Sequence, residues 1–233
     1  MYRIYSIGDA GITLDMGNQI DEKLNRKILA IQQWLLMHRF EGLKDVIASY
    51  CAVSVLYDPF VIKSRYLFSS SVFEFVKQKL EEAWLQSEAG NEENVEPVIS
   101  IPVCYDEEFG RDLAYISKEK NLSIDQIIQL HSSKIYYVYM IGFLPGFSYL
   151  AEVDEKLIIP RKPKPVPVIA GSVGIAGSQT GIYSLNCPGG WQIIGRTPLK
   201  LFDAAASPPV VLQAGNKVRF YAISKKEFLS GNS

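Results

Sequence analysis

The sequence predicts an α+β fold with two domains: a small α/β domain over residues 1–92, followed by a β-rich domain over residues 93–233. Two observations lead to this prediction. Only Pro59 precedes residue 97, whereas the other eleven prolines and 12 of the 17 glycines lie from there onward. Between these regions, residues 86–96 form a polar, acidic run that is typical of a linker or an exposed crossing between domains.

The first domain alternates strand and helix signals. Short alternating or β-branched runs predict strands, and apolar residues at three- and four-residue spacing predict helices. The predicted strands are residues 3–7, 12–15 and 46–57, and a further strand, residues 96–104, follows this domain. The predicted helices are residues 20–40 and 68–86. We expect both helices on one face of a small, mostly antiparallel sheet, in the split β-α-β arrangement of ferredoxin-like domains.

The second domain begins with two predicted helices, residues 109–120 and 123–132, and Ser123 is the expected N-cap of the second helix. Beyond residue 135 the chain consists of short apolar strands separated by glycine and proline, the last of them at residues 217–223. This pattern favours a closed or sandwiched β structure over a parallel α/β sheet.

The composition excludes several classes of function. Lys and Arg number 24 against 25 Asp and Glu, a net charge of −1, which removes the electrostatic reason to expect nucleic acid or an anionic membrane as a partner. The three cysteines are far apart and distant from histidine, which argues against a zinc site or disulfides and favours the cytoplasm. We expect no signal peptide and no metal. Because glycine and proline interrupt both long uncharged stretches, we also expect no membrane helix.

Two glycine-containing segments are candidates for a small-ligand site. Residues 140–148 lead from a tyrosine-rich strand into a Gly/Pro-broken loop with two phenylalanines; this predicts a pocket wall or, alternatively, a barrel strand followed by a turn with core aromatics. Residues 170–181 carry four glycines, which predict either an N–H nest for a carboxylate or oxyanion or a bulged barrel strand. Their spacing fits neither a dinucleotide fingerprint nor a P-loop.

A proline-rich segment and a tryptophan-containing segment complete the candidate site. Residues 160–167 contain four prolines and three basic side chains, so this stiff segment gates the pocket, binds a partner or is only a solvated connector. In residues 187–198, Arg196 ends a 30-residue uncharged run and is a candidate carboxylate clamp, although it could equally pair with Asp203.

No self-sufficient catalytic group is recognisable in these segments. His131 is the only histidine near them, and they contain no pair of acidic residues. Cys187 has no histidine nearby in the sequence, so a nucleophilic triad is weakly supported. The residues alone therefore predict a polar, aromatic pocket and leave its reaction open.

Several motifs, in order along the chain, resemble those of one bacterial family. They are Ile101-Pro-Val-Cys-Tyr105, Glu108-Phe-Gly110, Leu130-His-Ser132, Tyr139-Met-Ile-Gly-Phe-Leu-Pro-Gly-Phe147, Gly171-Ser-Val-Gly-Ile-Ala-Gly177, Gln179-Thr-Gly-Ile-Tyr183 and Pro188-Gly-Gly-Trp-Gln-Ile-Ile-Gly-Arg-Thr-Pro198. By these motifs the chain resembles the family of 5-oxoprolinase B subunits, also called allophanate hydrolase subunit 1, which includes sporulation-kinase inhibitors. The resemblance implies a small α/β N-terminal domain and a cyclophilin-like β-barrel.

The resemblance also implies a function. The B subunit works with a homologous barrel protein, the C subunit, and with an ATP-binding A subunit to open the lactam of 5-oxoproline to glutamate. This chain alone is therefore expected to be inactive, and ATP is expected to bind the A subunit. The residues expected to act in catalysis are Ser172, Gln179 and His131. The residues expected to bind substrate are Phe143, Pro145, Phe147, Arg161, Gly171, Gly174, Thr180, Tyr183 and Arg196.

Two other functions stay open at this point. Because the same family contains kinase inhibitors, the chain could bind and inhibit a sensor histidine kinase through its barrel surface, and a kinase recovered without the C subunit would favour this hypothesis. A prolyl isomerase is suggested by fold analogy alone, which does not transfer function.

Overall fold

The computed structural model of this chain describes residues 2–66, 71–87 and 97–231. By its contacts the chain divides into two compact units, Met1–Asn94 and Val95–Ser233, called below the N-terminal unit and the barrel unit. Residues 88–96 of the predicted linker lie outside the described residues. That the two units are independent domains, with a boundary between residues 92 and 93, stays a prediction.

The N-terminal unit is a four-stranded antiparallel sheet with helices. Its strands are β1 (Arg3–Ser6), β2 (Gly11–Asp15), β3 (Leu43–Ala48) and β4 (Ala52–Tyr57), in the order β1-β2-β4-β3. Its helices are α1 (Glu22–Met37), α2 (Pro59–Arg65) and α3 (Val72–Gln86). Since β4 is antiparallel to both β2 and β3, the strands that α1 connects are parallel to each other and separated by β4.

One apolar core holds the N-terminal unit together. Helix α1 presents Ile28, Ile31 and Leu35, spaced by three and four residues, and all three are buried against the sheet. From β4, Val53 and Val55 point into the same core, as alternate residues of a strand must. The described part of the predicted helix 68–86 is α3; residues 68–70 lie outside the described residues.

The predicted strand over residues 46–57 is wrong, because the chain turns back inside it. Strands β3 and β4 form a hairpin, and the Ser49 N–H donates to the Ala52 carbonyl across the turn at 2.8 Å. The buried Asn25 of α1 supports this turn, since its Nδ2 donates to the carbonyls of Ser49 and Tyr50. No glycine or proline marks the turn, so its support comes from a residue distant in the sequence.

The described residues of the barrel unit form nine strands. They are β5 (Ile99–Cys104), β6 (Ile135–Ile141), β7 (Ser148–Ala151), β8 (Val166–Val168), β9 (Ser172–Ala176), β10 (Gln179–Ile182), β11 (Cys187–Gly189), β12 (Gln192–Arg196) and β13 (Lys217–Ile223). Seven of them close into a barrel in the order β10-β7-β6-β13-β5-β12-β9, and β8 and β11 form a separate two-stranded ribbon. The closed barrel confirms the prediction of closed or sandwiched β structure.

The described residues of the barrel unit form three α-helices, two of which the sequence predicts, although the first begins at Leu113 rather than at residue 109. They are α4 (Leu113–Lys120), α5 (Ile124–Ser132) and α6 (Lys225–Ser230). Ser123 caps α5 in a capping box with Gln126, as its position predicts. Helix α6 was not predicted, although Ser224 and Glu227 have the spacing of a capping box and form one. Among the described residues no helix is long and apolar enough to cross a membrane.

The ribbon of β8 and β11 has an unusual central pair. Pro167 lies opposite Pro188, between the pairs Val168–Cys187 and Val166–Gly189. The Pro167 carbonyl accepts a hydrogen bond from the Arg111 guanidinium at 2.8 Å. The predicted proline-rich segment therefore ends in a short strand that is tied to the beginning of α4.

Candidate functional site

A cavity of about 710 Å³ opens in the barrel unit. It lies among the loop after β6, the proline-rich segment before β8, the end of β9, strand β10 and the turn from β11 to β12. Its lining residues are Phe143, Phe147, Tyr149, Pro160, Arg161, Pro165, Ala176, Gly177, Gln179, Tyr183, Pro188, Gly189, Gly190 and Trp191. This volume is within the range of small-molecule sites in proteins.

Aromatic rings form one wall of the cavity around Phe147. The Phe147 ring contacts four other rings edge to face, with centroid distances of 5.6 Å to Phe143, 4.7 Å to Tyr149, 5.0 Å to Tyr183 and 5.4 Å to Trp191. Edge-to-face contacts are the favoured arrangement of aromatic pairs and fix the rings relative to one another. The cluster therefore provides a preformed apolar surface for a ligand.

The loop after β6 places Phe143 at the rim of this wall. Phe143 has φ +68°, a left-handed conformation that is rare for a bulky residue, and its side chain is 63% exposed. The loop is closed by hydrogen bonds from the Gly142 N–H to the Phe147 carbonyl and from the Phe147 N–H to the Leu144 carbonyl. Such strained backbone is found preferentially at functional sites.

Arg161 is the only charged residue among the described residues that line the cavity. It lies on the proline strap (residues 160–165), and a Cβ placed on Gly190 would be 3.5 Å from both its Nε and its Nη2. Its positive charge partly opposes the burial that raises the pKa of Tyr149. The cavity thus combines an aromatic wall with a single cation.

Tyr183 contributes a hydroxyl group beneath the turn from β11 to β12. The hydroxyl accepts a hydrogen bond from the Trp191 backbone N–H, and burial raises the pKa of Tyr183 to about 12, so the phenol is neutral. A Cβ on Gly189 would overlap this hydroxyl, which explains why a residue without a side chain is needed there. A phenol hydroxyl that accepts one hydrogen bond can also donate its own proton to a second group.

The glycine-rich segment 170–181 forms part of the barrel wall, contrary to the nest hypothesis. Strand β9 pairs with β10 on one side and β12 on the other, as the alternative interpretation predicted. The N–H groups of Gly171 and Gly177 donate to the carbonyls of Tyr183 and Ile159, at 2.6 and 2.7 Å. Because these donors are used within the fold, they do not form an anion-binding nest.

His131 lies in the barrel interior, where it is fully buried. The Thr180 hydroxyl donates to the Gly174 carbonyl at 3.0 Å, so it accepts from His131 Nε2 at 2.9 Å. His131 Nδ1 must then accept from the Tyr105 hydroxyl, at 2.8 Å. Burial lowers the pKa of His131 to about 3, so this hydrogen-bonded chain holds a neutral imidazole.

This buried histidine predicts acid sensitivity. The unfolded chain binds a proton on His131 below about pH 6.5, whereas the folded chain binds it only near pH 3, so stability falls as the pH decreases between these values. We expect the free-energy advantage of wild type over His131→Gln, measured by urea unfolding, to shrink by about 1.4 kcal/mol per pH unit from pH 6 to 4. If the free energies of unfolding of the two proteins changed with pH in parallel, this explanation would be contradicted.

Arg196 is also directed away from the cavity. Its Nε donates to the Ala170 carbonyl at 2.9 Å, and its guanidinium carbon lies 5.8 Å from the centroid of the Phe228 ring. The predicted alternative, an ion pair with Asp203, is wrong, because Asp203 pairs with Lys200 at 2.6 Å. Among the described residues it is therefore Arg161, and not Arg196, that offers a cation to a ligand in the cavity.

Comparison with known proteins identifies the family. Residues 2–212 match the family described as "Carboxyltransferase domain, subdomain C and D". The chain is 40% identical over 229 residues to the B subunit of 5-oxoprolinase from Bacillus subtilis (strain 168), an alignment that covers 97% of this chain and 95% of the relative. This chain belongs to the family of 5-oxoprolinase B subunits. The B subunit from Escherichia coli O157:H7 is 36% identical over 219 residues, 94% of each chain.

Solved structures share the fold of this member of the 5-oxoprolinase family. The crystal structure of TTHA0988 matches with a TM-score of 0.77 and 34% identity, covering 96% of this chain, which spans 40% of TTHA0988. The conserved uncharacterized protein PH0987 from Pyrococcus horikoshii matches with a TM-score of 0.55 and 36% identity, over 97% of this chain and 100% of its own length. The K. lactis urea amidolyase matches at 17% identity and a TM-score of 0.76, which shows a common fold.

The structure of this 5-oxoprolinase family member separates the predicted site residues into two groups. Those that line the cavity are Phe143, Phe147, Arg161, Gln179 and Tyr183. Those that do not line it are Pro145, Gly171, Ser172, Gly174, Thr180, His131 and Arg196. In the second group, Pro145 uses its carbonyl to accept from the Ser184 hydroxyl, and Ser172 is buried at the start of β9.

Sequence reasoning missed two aromatic members of this site, Tyr149 and Trp191. Tyr149 follows Phe147 by two residues, a spacing that places both on one face of an extended segment. Trp191 belongs to the segment 187–198, where the sequence drew attention to Arg196, and its position at the cavity depends on the turn after β11. Among the described residues no cluster of three or more His, Cys, Asp or Glu could hold a metal ion.

Proposed function

We propose that this chain is the B subunit of a heteromeric, ATP-dependent 5-oxoprolinase, which hydrolyses the lactam of 5-oxoproline to glutamate. Its relatives at 36–40% identity over nearly the whole chain are named as 5-oxoprolinase B subunits. The observation that carries the proposal is the cavity itself, which offers one cation, an aromatic wall and a carboxamide side chain. These groups complement a small cyclic amide that carries a carboxylate.

Each part of 5-oxoproline has a complementary group in the cavity. The Arg161 guanidinium binds the substrate carboxylate, because such charge-assisted pairs are among the strongest hydrogen bonds. The Gln179 carboxamide both donates and accepts, as the lactam N–H and carbonyl require. The apolar ring carbons pack on Phe147 and its neighbours. The Tyr183 hydroxyl is a further donor for the lactam oxygen.

The role of this chain is to bind and orient the lactam. A lactam is a resonance-stabilised amide, so its opening needs activation, which ATP supplies when it is bound to the complex. In the glycine-rich segment the N–H groups of Gly171 and Gly177 donate within the fold, so they are not available to cradle a triphosphate. We therefore assign ATP to a separate A subunit, while Gln179 and Tyr183 hold the lactam in position.

Assembly and location belong to the same proposal. We propose that a homologous barrel protein, the C subunit, and the ATP-binding A subunit together complete the enzyme, that the chain alone is inactive, and that the complex acts in the bacterial cytoplasm. The barrel is then cyclophilin-like and the N-terminal unit ferredoxin-like, with β1 as the edge strand beside β2. These assignments rest on the family to which the chain belongs.

Reconstitution tests the proposed function. The purified chain is mixed with the A and C subunits, 5-oxoproline and ATP, and glutamate formation is measured. We expect glutamate only when all three proteins and ATP are present. Turnover by this chain alone would contradict the proposal that it needs the A and C subunits. If the complete mixture formed no glutamate, this result would contradict the assignment as an enzyme subunit. It would favour the hypothesis that the chain binds a histidine kinase.

Gln179 is expected to be essential in this assay. In Gln179→Ala the groups that face the lactam N–H and carbonyl are lost, so we expect kcat/KM to fall at least about a hundredfold, the effect of losing a donor to the reacting carbonyl. Gln213→Ala is the matched control, because Gln213 is exposed and does not line the cavity. Equal activity of the two variants would remove Gln179 from the site.

A further inference from the structure

Two charged residues outside the cavity connect the proline strap to the backbone of Trp191 and Ile193. Lys162 follows Arg161 on the proline strap, and Asp112 immediately precedes α4. Neither residue lines the cavity, and their side chains are 17% and 15% exposed and form an ion pair. We infer that Asp112 and Lys162 are positioning residues that hold Arg161 in place to bind the substrate carboxylate; this rests on the proposed function.

The strap is fixed on both sides of Arg161. Before it, the Pro160 carbonyl accepts a hydrogen bond from Gln192 Nε2 at 3.0 Å. After it, the Lys162 backbone N–H donates to the Gly190 carbonyl at 2.7 Å. These two bonds attach the strap to the turn and strand that carry Trp191, so Arg161 is held between two fixed points of the backbone.

The Lys162 side chain extends this attachment into the barrel unit. Its Nζ donates to the Asp112 carboxylate and, at 3.0 Å, to the Trp191 carbonyl. The ammonium group thereby connects the strap to Trp191, one of the rings of the aromatic wall. Because the ammonium is partly buried, removing the carboxylate would leave a poorly solvated charge, which is costly.

Asp112 directs its carboxylate to the site rather than to its own helix. It occupies the N-cap position of α4, yet its side chain caps no backbone N–H of that helix. Its Oδ2 accepts instead from the Ile193 backbone N–H at 2.6 Å, in addition to Lys162. The Asp112 N–H donates to the Ile193 carbonyl at 2.9 Å. One carboxylate therefore joins α4, β12 and the strap.

The test is a double-mutant cycle in the reconstituted enzyme. We expect Lys162→Met to raise the KM for 5-oxoproline about tenfold with little change in kcat, because a displaced Arg161 weakens binding of ground state and transition state alike. In an Arg161→Met background the same change is expected to alter KM by less than about twofold, since no guanidinium remains to be positioned. Lys164→Met, a strap lysine outside the cavity lining, is the control.

Hydrogen exchange of the purified chain tests the attachment without any enzyme assay. We expect the backbone amides of positions 162 and 193 to exchange hydrogen about tenfold faster in Lys162→Met than in Lys164→Met. Unchanged exchange, or an equal rise in KM in both backgrounds, would overturn the inference. A wild-type assembly without turnover would instead contradict the proposed function, and the exchange result would still decide whether the pair fixes the strap.

Discussion

Replacing Arg161 by methionine is expected to raise the KM for 5-oxoproline about tenfold to a hundredfold in the assembled enzyme, with a smaller change in kcat. Hydrogen bonds to charged groups contribute roughly 1.5–3 kcal/mol, and about 1.4 kcal/mol corresponds to a factor of ten in affinity. The loss falls mainly on KM because the carboxylate takes no part in breaking the lactam bond and is held equally before and during the reaction. Steady-state kinetics at several substrate concentrations measures both constants.

An analogue of 5-oxoproline in which a carboxamide replaces the carboxylate tests the same contact more directly. This neutral analogue lacks the charge that Arg161 recognises, so the wild-type enzyme is expected to prefer the acid strongly and Arg161→Met to lose most of that preference. Lys164→Met removes a charge from the same strap and is expected to leave the preference intact. If Arg196→Met abolished the preference while Arg161→Met retained it, the carboxylate would bind near Ala170 and outside the cavity described above.

The second large effect is expected at Gly171. This glycine has φ +85°, and a Cβ there would overlap the Thr197 carbonyl oxygen, a backbone atom that cannot rotate away. The left-handed conformation costs an alanine roughly 1–2 kcal/mol, and overpacking adds about 1–3 kcal/mol. Gly171→Ala is therefore expected to lower the free energy of unfolding by about 3 kcal/mol or more.

Gly177 offers a matched control for this substitution. It also has a left-handed backbone, with φ +59°, but a Cβ there would have no neighbour within 4 Å. We expect Gly177→Ala to cost only about 1 kcal/mol in urea unfolding, the contribution of the backbone conformation alone. Equal destabilisation by the two alanines would show that contact with the Thr197 carbonyl is unimportant, and that Gly171 is needed for its backbone angle only.

Local signals predicted much of the fold. The N-cap at Ser123, the apolar spacing in α1 and the last barrel strand at residues 217–223 all depend on residues within a few positions of one another. The hairpin turn inside residues 46–57 was missed because its support is Asn25, more than 20 residues away. Local sequence patterns cannot predict a hydrogen bond between residues that become neighbours only in the folded chain.

The site was predicted in part for the same reason. Phe143 and Phe147 stand in one short loop, so sequence spacing indicated their proximity. Arg161 and Arg196 could not be ranked from the sequence, because the distinction depends on which face of the barrel unit each guanidinium reaches. Likewise, Asp112 precedes a helix like an ordinary N-cap, and only the structure shows its carboxylate on Ile193 and Lys162.

The opposed prolines of the ribbon bear on what can enter the cavity mouth. Neither Pro167 nor Pro188 has an amide hydrogen, so at its centre each outer edge of the ribbon lacks the donor that an incoming strand would need. On the β8 side the central carbonyl is already occupied by Arg111. An extended peptide would therefore find a poor edge for strand pairing beside Pro188, which lines the cavity.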